Sequence, residues 1–312
     1  MIIVSQGHER SIALEVFFKS SLLLSPRELS QILLVADESS IAKNLEDLRF
    51  KFSIKNKSII INKKIIPFHA TTSSLVPLST NSLSTALSLI NPIRDVLLTL
   101  PTSKDQLSIG KKQLAGYTEY LREHFANQFL AMNFVADKHQ IMLVTDHLPL
   151  KQVSSTINSN LIVQKSILSL DGYHKFFQTI NEIYFAGINP HAGEAGILGN
   201  EDRVVSEAIK VLAQKYPSKK FHGPLSGDTL HTISPLSNRL FVYMFHDQGL
   251  APFKALHGFT GLNVSLGLPF LRLSVDHGTA FSLYGKGNAD HSGCSFVLAQ
   301  ALSVNQKLAR GE

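Results

Sequence analysis

Ten of the chain's 13 histidines lie from His139 onward, and three of them share one local grammar. Ile141-Met142-Leu143-Val144-Thr145 runs into Asp146-His147-Leu148-Pro149. Ile183-Tyr184-Phe185-Ala186-Gly187 continues as Ile188-Asn189-Pro190-His191-Ala192-Gly193-Glu194. Leu240-Phe241-Val242-Tyr243-Met244-Phe245 ends in His246-Asp247-Gln248-Gly249. In each, an apolar run with the length of a buried strand delivers an imidazole to the loop at its carboxyl end. The carboxyl ends of strands in an open α/β sheet share one crevice. Three imidazoles there match a divalent metal site with positions left open for water or substrate. A lone histidine more often satisfies a buried turn; threefold repetition favours the metal. Asp146, Glu194, Asp247 and Asp228, the last within Gly223-Pro224-Leu225-Ser226-Gly227-Asp228-Thr229, are acidic groups able to orient such rings or move protons.

A second set follows: Lys254, Asn263 and Arg272 at nine-residue intervals, flanking glycines 258, 261 and 267. An ammonium, an amide and a guanidinium near glycine-permitted backbone make a cradle for phosphate or carboxylate. Their spacing equally permits three surface polar residues on a loop. Neither a G-x-G-x-x-G fingerprint after a strand nor a G-x-x-x-x-G-K-[ST] loop is present, and there is no G-x-S-x-G elbow. Gly285-Lys286-Gly287-Asn288-Ala289-Asp290 is a weak candidate for a cofactor phosphate or ribose contact. Cys294, the single cysteine, sits in an apolar segment and reads as core; one cysteine excludes an internal disulfide and a cysteine-built zinc site.

The elements that must carry these residues alternate in type. Strand-like runs at 2–4, 32–35, 95–100, 141–145, 182–187 and 240–245 are interleaved with helical patterns at 12–23, from Ser25-Pro26-Arg27-Glu28, and at 118–131. Residues 46–68 read as β by alternation, and the Ser/Thr-rich stretch 71–88 as part loop, part helix. This is the pattern of an α/β protein with a mixed, largely parallel sheet. With 312 residues, 44% of them hydrophobic and 17% charged, the chain can bury a sizeable core and fill two domains. Ser108-Ile109-Gly110-Lys111-Lys112 is the candidate crossover. The expected division is 1–110 with 280–312, and 111–279, the second lobe carrying the metal and phosphate candidates.

The net charge is +6, but the positives are scattered. The densest group, Lys51, Lys55, Lys57, Lys63 and Lys64, alternates with isoleucines in a β-like stretch and reads as a solvated face, so no nucleic-acid partner is expected. Met1-Ile2-Ile3-Val4 lacks a basic leader region, and no run approaches the ~20 apolar residues of a membrane span. The expectation is a cytoplasmic protein without a membrane partner.

Several loops together resemble one family. Asn189 to Glu194, His246-Asp247-Gln248-Gly249-Leu250, Leu266-Gly267-Leu268-Pro269-Phe270 and Ser274-Val275-Asp276-His277-Gly278-Thr279-Ala280 are similar to 4-hydroxythreonine-4-phosphate dehydrogenases of pyridoxal phosphate (vitamin B6) biosynthesis. Thr145 to Pro149, Gly223-Pro224-Leu225 with Asp228-Thr229, and Pro101-Thr102-Ser103-Lys104 fit as well. The resemblance implies a two-lobed fold like that of isocitrate and isopropylmalate dehydrogenases, and a homodimer. It implies His147, His191 and His246 as metal ligands, and Lys254, Asn263 and Arg272 as the substrate-phosphate site, with Tyr117 and Thr118 contacting substrate. The implied reaction is NAD-dependent oxidation of a secondary alcohol followed by loss of carbon dioxide, on 4-phosphohydroxy-L-threonine, giving 3-amino-2-oxopropyl phosphate. Lys104 and Asp228 are the candidates for the group that takes the hydroxyl proton. Three imidazoles suit zinc, with magnesium, manganese or cobalt as alternatives; NADP is the alternative to NAD.

Two segments depart from the family pattern. The loop after the first strand, usually of the type Gly-Glu-Pro-Ala-Gly-Ile-Gly-Pro, reads Gly7-His8-Glu9-Arg10-Ser11-Ile12-Ala13-Leu14-Glu15, placing side chains where glycines would let backbone approach a ligand. The family's Gly-His-Thr-Glu reads Gly116-Tyr117-Thr118-Glu119, with tyrosine in place of a substrate-contacting histidine. These departures keep two alternatives open: a dehydrogenase of another four-carbon hydroxy-acid phosphate (threonate or erythronate 4-phosphate), or a non-catalytic paralogue with impaired NAD binding.

Overall fold

The computed structural model describes residues 1–71, 75–126 and 129–311. They form two compact units, Met1–Gln128 with Leu268–Glu312, and Phe129–Gly267. The first unit opens with β1 (Ile2–Ser5), buried at all four positions, as the central strand of a parallel sheet must be. Gly7 follows at φ +76°, and a Cβ there would lie 2.4 Å from the Pro101 carbonyl oxygen, so only glycine fits this exit. Helix α1 (Ala13–Ser21) is buried over most of its length, and α2 (Pro26–Leu29) starts with a capping box between Ser25 and Glu28. After β2 (Ile32–Ala36), the Asp37 carboxylate accepts the Ser40 N–H and starts α3 (Glu38–Asp47).

The β reading of 46–68 therefore begins too early, because the cap at Asp37 carries a helix through Asp47. The remainder is a meander of β3 (Phe52–Lys55), β4 (Ser58–Ile61) and β5 (Lys64–Ala70). Its two turns, Asn56-Lys57 and Asn62-Lys63, have all four residues at positive φ, the turn sense that matches strand twist. Ile59, Ile61 and Ile66 are buried while Lys51, Lys55, Lys57 and Lys63 are exposed, so the lysine group is the polar side of this meander. Helix α4 (Leu78–Leu89) and β6 (Val96–Thr99) follow.

The expected crossover lies inside this unit. Ser108–Ile109 (β7) and Lys112–Gln113 (β8) form a short antiparallel hairpin turning at Gly110, φ +58°. The division falls at 128/129 and 267/268 instead of 110/111 and 279/280. Helix α5 (Tyr117–His124) is shorter than the 118–131 expected; Ala126 has φ +47°, and Ala131 already belongs to a strand. Residues 127 and 128 of that expected helix lie outside the described residues.

In the second unit, β9 (Ala131–Ala136) and β10 (His139–Leu143) are an antiparallel pair buried throughout. Helices α6 (Leu150–Thr156) and α7 (Ser159–Phe176) lead to β11 (Glu182–Ala186), α8 (Arg203–Lys215), β12 (Lys220–Leu225), β13 (Arg239–Tyr243), α9 (His246–His257) and β14 (Leu262–Leu266). The strand order is β12-β11-β13-β10-β9-β14, parallel from β12 to β10 and antiparallel thereafter. Ile141, Leu143, Phe241, Tyr243, Leu250 and Phe253 pack into one core, each such burial contributing about 1.5–3 kcal/mol.

The chain then returns to the first unit as β15 (Leu271–Val275) and α10 (Ser292–Arg310). That unit's strand order is β15-β6-β1-β2-β5-β4-β3, parallel except for the meander. Both units are α/β with mixed, mostly parallel strands, as expected. Cys294 is fully buried in α10, where burial pushes its thiol up to about 12. Among the described residues, no helix is long and apolar enough to cross a membrane.

Candidate functional site

Strands β11, β13 and β10 are consecutive neighbours and parallel, so their carboxyl ends emerge on the same edge of the second unit. His191, His246 and His147 follow those three ends. The pairing outlasts β10 and β13: Val144 and Thr145 donate their N–H groups to Tyr243 and Met244 carbonyls at 2.9 and 3.1 Å. The Thr145 hydroxyl adds a bond to the Met244 carbonyl at 2.7 Å. The result brings the His147 and His246 rings to a centroid separation of 5.4 Å. Imidazole nitrogens bind a zinc-like ion at about 2.0–2.1 Å, which puts two co-ligating rings roughly 5 Å apart between centres. The ring separation matches that of two imidazoles sharing one cation. His246 opens α9, and its Nδ1 is held at 2.7 Å by Asp247 Oδ1, leaving Nε2 as the ligating nitrogen.

His191 is placed differently. It lies in a short turn, Pro190–Gly196, in which His191, Ala192, Gly193, Glu194 and Ala195 all have positive φ. Asp202 secures the approach to this turn: its carboxylate accepts the Ile188 N–H at 2.6 Å and the Asn189 N–H at 3.2 Å. His191 lines a cavity of about 610 Å³ with Asp228, His231, Phe245 and Gln248, whereas His147 and His246 line a neighbouring hollow of about 430 Å³ with Asp146, Phe245 and Asp247. Phe245 forms part of both walls. Among the described residues, no three His, Cys, Asp or Glu side chains converge as a metal-binding group. The structure thus joins two of the three expected ligands and sets the third in the adjoining cavity.

Gln248 links the ends that carry these rings. Its Oε1 accepts the Met244 N–H at 2.8 Å, and its Nε2 donates to the Gly187 carbonyl at 2.8 Å, so one amide ties β13 to β11. Gly227 packs against that amide; a Cβ there would come within 2.6 Å of Nε2. Asp228 accepts a very short bond from the Ser226 hydroxyl, and this bond chiefly, with smaller pulls from its own backbone N–H, His191 and His231, holds its carboxyl below the usual range. It is an exposed carboxylate facing the His191 cavity, suited to orient a polar substrate group. Glu194 is exposed on the left-handed turn.

The other expected site residues divide between the units. Lys254 is exposed on α9 and Asn263 half-buried on β14, both in the second unit. Arg272, on β15 of the first unit, is only 3% exposed. Its Nε and Nη2 donate to Thr99 Oγ1 at 3.1 and 2.7 Å, and its guanidinium lies 5.3 Å above the Tyr117 ring. Burial lowers its pKa to about 10, opposed by Tyr117, so it stays cationic at neutral pH. The Tyr117 hydroxyl is occupied with the Leu100 carbonyl at 2.8 Å; burial raises its pKa and Arg272 pulls it down less. Thr118 is buried in the first turn of α5, and Lys104 is exposed in the turn Lys104–Gln106.

The loop after β1 turns its polar groups on itself. His8 Nδ1 accepts the Arg10 N–H at 2.9 Å, Ser11 Oγ accepts the Ala13 N–H at 3.1 Å, and Ile12 N–H goes to the Thr279 carbonyl. Glu15, 1% exposed, accepts both Lys19 Nζ (2.7 Å) and the Ala289 N–H (2.8 Å), and Lys19 also donates to the Gly287 carbonyl. Part of the 285–290 stretch is thereby tied to α1.

Asp202 and Gln248 were not identified from sequence as the residues that hold the loops. Gln248 lay in plain view within His246-Asp247-Gln248-Gly249; Asp202 had no signal beyond an acidic residue preceding a helix.

The two α/β units have a fold shared with solved structures of low sequence identity. The isocitrate dehydrogenase of Methylococcus capsulatus has the same fold at a TM-score of 0.52, 10% identity, and coverage of 99% of this chain and 87% of that one. A family model described as "Pyridoxal phosphate biosynthetic protein PdxA" matches residues 24–301, and the chain belongs to that family. The 4-hydroxythreonine-4-phosphate dehydrogenase of Sulfurimonas denitrificans is 34% identical over 221 residues, spanning 69% of this chain and 68% of that protein. The crystal structure of the Klebsiella pneumoniae 4-hydroxythreonine-4-phosphate dehydrogenase superposes with a TM-score of 0.81 at 25% identity, covering 98% and 99% of the two chains.

Proposed function

We propose that this chain is an oxidoreductase of pyridoxal phosphate biosynthesis that oxidises and decarboxylates 4-phosphohydroxy-L-threonine to 3-amino-2-oxopropyl phosphate, with NAD as hydride acceptor. Family membership supports the reading, and the single structural observation that carries it is the facing pair His147 and His246 at the ends of paired parallel strands. His147, His246 and His191 would hold a divalent cation, zinc by donor type, with His191 contributed from the adjoining turn. Such an ion supplies Lewis acidity to an alcohol oxygen and to the charge left when carbon dioxide departs. Asp247 fixes the His246 tautomer, and Gln248 keeps the strand ends from separating. Asp228 is the candidate acceptor for the hydroxyl proton on geometric grounds, since it faces the His191 cavity; Lys104 is the alternative.

For the substrate's phosphate the second unit offers Lys254 and Asn263, and the first unit offers Arg272, oriented there by Thr99 and Tyr117. Binding that remote group positions the reacting carbon and so lowers the barrier through orientation. Thr118 contributes to the substrate pocket. We further propose a homodimer, in the cytoplasm as the family resemblance implies; the exposed apolar side chains Leu150, Ile197 and Leu198 of the second unit are surface that a second copy would cover.

One observation favours a second reading. The Tyr117 hydroxyl is engaged with Leu100, which alters the contact available to the polar end of the substrate and motivates threonate or erythronate 4-phosphate as the alternative. The test is steady-state NAD reduction with zinc and each of the three phosphorylated acids. A kcat/KM highest for 4-phosphohydroxy-L-threonine supports the first reading. Preference for a sugar-acid phosphate selects the second, and absence of NAD binding with metal and substrate present would overturn both.

A further inference from the structure

We propose that Lys165 is a positioning residue for His147, acting through the carboxylate of Asp146. The inference rests on the metal-site reading above and adds to it a residue that no motif contains.

Among the described residues, Lys165 is the one buried lysine, at 4% exposure. Its Nζ lies 3.8 Å from Asp146 Oδ2, and the two side chains are 5% and 10% exposed. The other carboxylate oxygen, Oδ1, accepts the His147 N–H at 2.9 Å. One carboxylate therefore faces a buried cation with one oxygen and holds the backbone of His147 with the other.

The surroundings make this a lever between two fixed bodies. On one side, Val144 and Thr145 are clamped to β13 by backbone and hydroxyl bonds, and Asp146 is the first residue beyond the clamp. On the other side, Lys165 stands in the second turn of α7, whose start is capped by Asn158 accepting the Leu161 N–H at 2.9 Å. That helix packs on β9 and β14, with Gly172 allowing close approach: a Cβ there would lie 2.6 Å from Leu266 Cδ2. Burying an ammonium and a carboxylate is costly in desolvation, and a well-packed apolar pair is often no less stable. A buried pair placed one residue before a ring that must face another at 5.4 Å has a directional use: it selects the Asp146 rotamer, and with it the direction in which His147 leaves the strand. Asp146 and His147 both line the hollow of about 430 Å³, and Lys165 braces that wall from α7.

The test measures metal affinity directly, in the absence of substrate and NAD. Purified metal-free protein is titrated with Co²⁺, read by its visible absorption, for the wild type, Lys165→Met, Lys165→Arg, and the double variant Lys165→Met with Asp146→Asn. Thermal unfolding is recorded without metal for each. Residues that orient a metal-binding histidine typically change affinity about 10–100-fold when altered, and that loss is expected for Lys165→Met. Lys165→Arg, which keeps the charge, should recover most of it. The double variant removes both buried charges together, so it folds even if the single one does not, and it should retain the weak affinity. Wild-type affinity in the double variant would overturn the proposal, as would unchanged affinity in a folded Lys165→Met. If the wild type itself fails to bind Co²⁺, the metal reading falls as a whole, an outcome distinct from the failure of Lys165 alone.

Discussion

His147, in the segment after β10, and His246, the first residue of α9, face each other with ring centres 5.4 Å apart because β10 and β13 remain bonded past their ends. The pair is set by backbone pairing, and Asp247 then fixes the His246 ring. Replacing His246 with alanine should abolish tight metal binding. Asp247→Asn should weaken it by about 10–100-fold while leaving thermal stability without metal nearly unchanged. Metal titration of both variants checks this, and full-strength binding in His246→Ala would contradict the assignment.

Gln248 bonds β13 to β11 through both ends of one amide. Gln248→Leu leaves the Met244 N–H and the Gly187 carbonyl without these partners, at about 1–3 kcal/mol for each buried group. The midpoint of thermal unfolding should fall by roughly 4–8 °C. Gln248→Glu keeps the acceptor for Met244 but loses the donor, and should fall in between.

Tyr117 lies under the Arg272 guanidinium and cannot swing away while its hydroxyl holds Leu100. Tyr117→Phe retains the stacking face and should bind inorganic phosphate nearly as wild type. Tyr117→Leu removes a stacking contribution of about 1–2 kcal/mol and should weaken phosphate roughly tenfold. Calorimetric titration measures both. Equal weakening in the two variants would assign the effect to the hydroxyl instead of the ring.

His139 is 3% exposed between Phe241 and Phe253, with Nδ1 at 2.8 Å from His257 Nε2. Burial, and secondarily His257, lower its pKa from 6.5 to about 4. The folded state therefore resists a proton that the unfolded chain accepts below about pH 6.5. The contribution of His139 should be complete above that point and be lost, by roughly 3 kcal/mol, between pH 6.5 and 4. His139→Phe should flatten much of this slope, as followed by urea unfolding across the range.

The strands that deliver the histidines were readable because parallel strands buried on both faces are continuous apolar runs, as residues 141–145 and 240–245 are. The three-histidine grouping was readable as a pattern, but the left-handed turn at His191–Ala195 was not: most of its residues are not glycine, so nothing in their types announces positive φ. Helix α3 escaped notice because a single cap at Asp37 starts it within a polar stretch. Of β9, only Ala131 fell within the expected helix 118–131 and the rest was left unassigned, since Ala131, Met132 and Ala136 favour helix and only pairing with β10 and β14 makes them a strand. Lys165 and Asp202 act through contacts with distant segments, which spacing along one segment does not encode.

Because β11, β13 and β10 are adjacent, the connecting stretches loop back outside the strand ends that set the imidazole directions. Insertions or deletions within those connections, away from Lys165 and Asp202, can accumulate without relocating the reactive edge.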